Sequence, residues 1–149
     1  MADWRNNPQA APYVAHIEQA AARHGIDPAI LGSLIERESQ FNPKAVSRAG
    51  ARGIAQMVPK FHPTVNTADP VASIEGAAAY LASNLKRAKG DMAKALAMYN
   101  HGPTAVMSYR HDWRTKIPAE TRRYIEALAP EAQALTTELR KPLPTKEPQ

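Results

Sequence analysis

Three aspartates constrain this chain more than any other feature. Asp27-Pro28, Asp69-Pro70 and Asp91 each head a segment, rich in alanine, whose apolar residues recur with a period of about 3.6. An aspartate there accepts from the free N–H groups of a first helical turn, and proline at the first helical position gives up no hydrogen bond. Gly25 and Gly90 precede two of these starts and suit the left-handed residue that closes a helix. Runs of β-branched and aromatic residues alternating with period two are missing. The chain is therefore predicted to be mainly α. Helices are predicted over 12–24, from Pro28 to before Pro43, over 51–57 as one short turn of helix in an irregular stretch, and from Pro70 to Gly90. Further helices are predicted from Asp91 to Tyr99, after Pro103, and from Pro118 through Tyr124, Ile125 and Leu128. With 149 residues there is room for one domain with its own core. That domain is placed at 11–135, after an N-terminal extension over 1–10 and before a flexible Pro-rich tail over 136–149.

Charge narrows the partners. The formal net charge is +5 with a pI near 9.6, which favours anionic partners: nucleic acid, acidic lipid or a polyanionic cell wall. Between Glu38 and Asp69 there is no acidic residue, while Lys44, Arg48, Arg52 and Lys60 all fall there; a solvated surface explains such a run as readily as a binding face does. Without cysteine, disulfides, thiolate metal sites and thiol nucleophiles are excluded. No apolar run has the roughly 18–20 residues of a membrane span, and the first residues lack the basic and apolar regions of a signal peptide.

One acid sits where an acid is costly. Glu38 follows Leu34 by four residues and Ile35 by three, spacings that put it on the apolar stripe of the second helix, whereas Glu36 turns toward the polar side. Desolvation and the negative end of the helix dipole both disfavour its charged form. A carboxyl so placed is suited to donate a proton near neutrality. By itself the position also fits a glutamate at a helix border paired with an arginine.

The residues that follow carry more. The block ESQFNPKAVSRAGARGIAQMVP, from Glu38 to Pro59, resembles the signature of the lytic transglycosylase SLT family, relatives of the goose-type lysozymes. The matching positions are Glu38-Ser39, Phe41-Asn42-Pro43, Ser47, Gly50-Ala51-Arg52-Gly53, Gln56 and Pro59. DPVASIEGAAAYL, AMYNHGPTAV and IPAETRRYIEAL are similar, in order, to three later blocks of that family. Departures are Ala55 and Val58 where methionine is usual, Met98 in the Tyr-Asn block, His101 before Gly102, and Ser73 where asparagine is common.

The resemblance implies a compact lysozyme-like domain with a substrate cleft. It implies cleavage of the β-1,4 bond between N-acetylmuramic acid and N-acetylglucosamine without water, leaving 1,6-anhydromuramic ends. A single glutamate, Glu38, would serve as acid and then base, which accords with the absence of any second acid over 39–68. Ser47, Gln56, Tyr99, Asn100 and Glu120 carry over as substrate-binding residues, their hydroxyl, amide and carboxylate groups matching an amino sugar. Gly50 and Gly53 are read as turn residues, and Tyr124 as core. Neither cofactor nor metal is implied: the five histidines form no helical pair with a nearby acid. Trp4 and Trp113 fit packing better than sugar stacking.

The partner implied is the peptidoglycan glycan strand, met by a monomer in the periplasm or cell wall. With no signal peptide, the expected routes are a virion, phage-directed delivery, or a leader already removed. Three other readings stand beside this one. A goose-type hydrolysis of the same bond would need a positioned water and a further acid, for which Asp69, Asp91 and Asp112 are the remaining aspartates after Glu38. A helix-turn-helix over 14–39 would bind nucleic acid, but Ala29-Ile30-Leu31 is core material where base-reading side chains belong. A catalytically inactive wall-binding domain would have no use for Glu38.

Overall fold

Each aspartate predicted to start a helix does so with its own side chain. Asp27 accepts from Ala29 N at 2.9 Å, Asp69 from Val71 N at 3.0 Å and Ala72 N at 3.3 Å, and Asp91 from Lys94 N at 3.2 Å. The computed structural model describes residues 3–130, so the predicted tail over 136–149 and the last residues of the predicted domain lie outside the described part. Among the described residues the α-helices are α1 (Val14–His24), α2 (Pro28–Ser39), α3 (Pro70–Arg87), α4 (Met92–His101), α5 (Pro103–Ser108), α6 (Trp113–Lys116) and α7 (Ala119–Leu128). Shorter 3-10 turns cover Trp4–Asn6, Pro8–Tyr13 and Arg110–Asp112.

The described residues fall into two compact units, one up to Gly90 and one from Asp91 on. In the first, α1 packs on α2 and α3, and α2 touches α3. Ile17, Ala20 and Ala21 of α1, Leu31, Leu34 and Ile35 of α2, and Ile74, Ala77, Ala78 and Leu81 of α3 are buried, all at helical spacings. Alanines on α1 and α3 are short enough to let those two helices approach. Gly25, at φ 67, ends α1 as predicted, and Gln40, at φ 54, ends α2 by donating its N–H to Glu36 O. In the second unit α4 packs against α5 and α7, burying Leu96, Ala97, Met98, Val106, Ile125 and Leu128.

Two differences from the sequence reading have clear causes. The predicted helix over 51–57 is absent; a tight hairpin stands there, with Arg52 N donating to Met57 O at 2.9 Å and Met57 N to Arg52 O at 3.1 Å. Gly53 at φ 81 and Gln56 at φ 52 are both left-handed, which no α-helix accommodates. Residues 3–10, within the extension expected over 1–10, pack on the first unit: Trp4 is 1% exposed and Ala10 fully covered, and the two N-terminal turns pack on α2 and α1. Boundary shifts are smaller. α1 begins at Val14 because Pro12 lies in a 3-10 turn, and α4 runs on to His101, where Gly102 at φ 100 breaks it.

Candidate active site

Glu38 lies in the last turn of α2 and is half-buried. The neighbouring Ser39 fastens that turn to the hairpin: its Oγ donates to Ile54 O at 2.6 Å and reaches back toward Ile35 O at 3.4 Å. Ile54 is fully buried, so its carbonyl has no water to turn to. The chain then reverses through Gln40 and Phe41, both left-handed, and Asn42 receives Lys44 N on Oδ1 at 2.9 Å. Glu36, which periodicity turns toward solvent, is half-covered and accepts from Asn7 Nδ2 at 3.1 Å.

Ser47 and Gln56 both sit in this loop, and both are tied to backbone. Ser47 Oγ accepts from Ala51 N at 3.0 Å while the two backbones bond through Ser47 N to Ala51 O at 2.9 Å. Gln56 Nε2 donates to Ala45 O at 3.0 Å and Gly53 O at 2.9 Å, using both amide hydrogens and leaving Oε1 as its acceptor. Gly53 has no alternative: a Cβ there would land on the carbonyl oxygen of Thr67. Buried Ser73 caps the far side, its Oγ donating toward Thr67 O at 3.3 Å. Lys44, Arg48, Arg52 and Lys60 are all exposed, so this acid-free stretch presents its positive charge to solvent.

In the second unit the structure brings Tyr99, Asn100 and Glu120 onto two packed helices. Tyr99 and Asn100 are half-buried near the end of α4, and Glu120 is exposed in the first turn of α7. Thr121 Oγ1 donates to Asn100 Oδ1 at 2.7 Å, from a residue only 1% exposed. That bond fixes the asparagine with its Nδ2 as the donor it presents. His101, the departure before Gly102, stacks on Tyr109 and bonds it through Nε2 at 2.9 Å. Tyr124 and Trp113 are buried, as expected of packing residues.

Ser39 and Thr121 carry weight that spacing alone does not reveal. Each stands directly beside a candidate residue, Glu38 and Glu120 respectively, and each hydroxyl closes a bond distant in sequence. A small hydroxyl residue next to a helix-end acid is the signal that points to them. The remaining aspartates are already in use or exposed: Asp69 and Asp91 as caps, Asp112 beside His111 at the surface. Among the described residues no group of three His, Cys, Asp or Glu is placed to hold a metal ion, and no helix is long and apolar enough to cross a membrane.

Residues 15–120 match the model of the family described as the transglycosylase SLT domain. The chain belongs to that family. Relatives of the SLT domain include a transglycosylase of Enterobacteria phage PRD1, 37% identical over 89 residues, which make up 58% of this chain and 33% of that protein. A membrane-bound lytic murein transglycosylase C of Mannheimia succiniciproducens is 42% identical over 53 residues, 36% of this chain and 15% of the relative. Among solved structures, an inactive glutamate-to-glutamine mutant of the lytic transglycosylase Slt from Pseudomonas aeruginosa superimposes with a TM-score of 0.68 at 26% identity, covering 87% of this chain and 25% of that one. The fold is thus the mainly α, lysozyme-like fold of these enzymes. The chain spans about a third or less of the length of the relatives it matches.

Proposed function

We propose that this SLT domain is a peptidoglycan lytic transglycosylase that cleaves between N-acetylmuramic acid and N-acetylglucosamine without water, with Glu38 as acid and then base. The observation that carries the proposal is the placement of Glu38: half-buried at the end of α2, on a turn that Ser39 holds to the buried Ile54 carbonyl. A partly desolvated carboxyl on a fixed backbone meets the need for a proton donor with defined aim. The relative of this fold that is inactive as a glutamate-to-glutamine mutant supports an essential glutamate, and the names of the phage and murein relatives support the substrate.

Glu38 gives its proton to the bridging oxygen as the muramic C1–O bond breaks, and the N-acetyl oxygen stabilises the electron-poor C1. The Glu38 carboxylate then takes the proton of the 6-hydroxyl, whose oxygen closes on C1 to form the 1,6-anhydro ring. No water is consumed, so no second acid is required to orient one. Asp69 and Asp91 are used as helix caps, which favours this route over hydrolysis. Ser47 and Gln56 shape the wall of the site through the loop they brace, with Gln56 Oε1 left to accept from the sugar. Tyr99, Asn100 Nδ2 and Glu120 contact substrate, and the exposed cations of the 39–68 loop favour encounter with an anionic wall. The enzyme works as a monomer in the periplasm or cell wall, and the phage relative makes phage-directed delivery the favoured route. Half-buried Ile30 and buried Leu31 at the start of α2 oppose a DNA-reading helix there.

Mass analysis of muropeptides released from purified peptidoglycan tests the proposal. The expected products carry anhydro ends, one water lighter than hydrolysed ends. Products that are all of the heavier form would establish a lysozyme instead, and an absence of released muropeptides would remove the activity.

A further inference from the structure

Residues 3–14 lie before the stretch that matches the SLT family, yet they are built into the unit that holds Glu38. Trp4 lies against α2 at Gly32, where a Cβ would overlap the indole, and its ring centroid is 6.2 Å from that of Phe41. Arg5 stacks over the same indole at 4.6 Å and reaches Glu18 Oε1 of α1 at 2.9 Å, so the strap is anchored on both helices. Asn7 then does two things with one amide. Its Oδ1 accepts from Gln9 N at 3.0 Å, capping the turn that follows, and its Nδ2 donates to Glu36 Oε2 at 3.1 Å. Glu36 is held at its other end as well, because its carbonyl receives Gln40 N at 2.8 Å. The turn 36–40, with Glu38 inside it, is closed at one end by the left-handed Gln40 and gripped at the other through the Glu36 side chain.

We propose that Asn7 is a positioning residue for Glu38: the N-terminal strap grips Glu36 and thereby fixes the direction in which the last turn of α2 presents its acid. This rests on the reading of Glu38 as the catalyst. The strap does not touch substrate; it reduces the range of orientations of a carboxyl whose misplacement by about 1 Å costs up to about a hundredfold in rate. A half-covered charged hydrogen bond is strong enough to hold such a turn.

The chemistry of Asn7 permits a clean test. Asn7→Asp keeps the acceptor that caps the next turn but removes the donor and sets a second carboxylate against Glu36. Its kcat on soluble glycan strands is expected to fall about tenfold while KM stays within about twofold. Adding Glu36→Gln restores the bond with its polarity reversed, the new amide on α2 donating to the new carboxylate on the strap. The double variant is expected to return kcat to within about twofold of wild type. Asn7→Ser, which caps without repelling Glu36, is expected to give a smaller loss and serves if the aspartate variant folds poorly. A lower melting temperature with unchanged kcat would mean that the strap only stabilises, and would overturn the proposal. So would a folded double variant that stays as slow as Asn7→Asp. Glu38→Gln measured alongside separates the two readings: if it keeps wild-type turnover, the catalytic assignment fails whatever Asn7 does.

Discussion

At the junction of α1 and α3, polar side chains bond to one another; from Ser39 through the loop that follows α2, they bond to the backbone. Glu75 takes Arg23 Nη2 at 2.6 Å and Nε at 3.2 Å, and His24 Nε2 lies 2.8 Å from the same carboxylate. The Arg23 hydrogen bond, helped by His24 against the cost of burial, pulls Glu75 down to about 2. These groups stay substantially exposed, so water and salt share the interaction, and pairs of this kind contribute about 0–1 kcal/mol. Ser39, Ser47 and Gln56 form no ion pair, yet each satisfies a main-chain group of the loop in a part-buried bond. Removing one leaves a carbonyl or N–H stranded, a cost of about 1–3 kcal/mol, and frees the path of the chain at the same time. The ion pair adjusts stability; the loop bonds set geometry.

The loop side of this contrast breaks hardest at Gly53. Gly53→Ala forces a left-handed alanine against the Thr67 carbonyl, and a loss of about 3 kcal/mol or more is expected in urea unfolding. A change under about 0.5 kcal/mol would show that the hairpin is not braced as described. Ser39→Ala comes next, at about 1–2 kcal/mol, because the Ile54 carbonyl loses its donor. Here turnover should fall by more than stability predicts, and equal behaviour of both quantities would detach Ser39 from the aim of Glu38.

The ion-pair side is gentler. Glu75→Gln should cost under about 1 kcal/mol near neutral pH, less still in high salt. Its signature lies in acid. A carboxylate held at about 2 in the folded chain, against an ordinary value of 4.5, stabilises above the higher figure and loses that contribution as pH falls through the lower one. Between those values wild type should lose stability more steeply than Glu75→Gln; parallel curves in pH-dependent thermal melts would contradict the pairing.

What the sequence made legible follows from the range of the interactions. Asp27, Asp69 and Asp91 cap backbone N–H groups within three residues, so their role is local and readable. Periodicity likewise located Glu38 at the end of α2. The 51–57 hairpin resisted reading because Gly53 and Gln56 take left-handed conformations fixed by Thr67 and Ala45, which no local propensity encodes. Nor does composition announce that Gln56 uses both amide hydrogens on backbone. Trp4 is similar: its seat is made by a glycine in a helix far along the chain, and an indole N–H that meets no acceptor among the described residues marks it as a packing residue.

The central claim concerns one carboxyl, and one substitution isolates it. Glu38→Gln keeps the shape of the side chain and removes its acid. With a melting temperature close to wild type, turnover of peptidoglycan by this variant is expected to fall by about a thousandfold or more. A folded Glu38→Gln protein that clears cell walls at a substantial fraction of the wild-type rate would contradict the account.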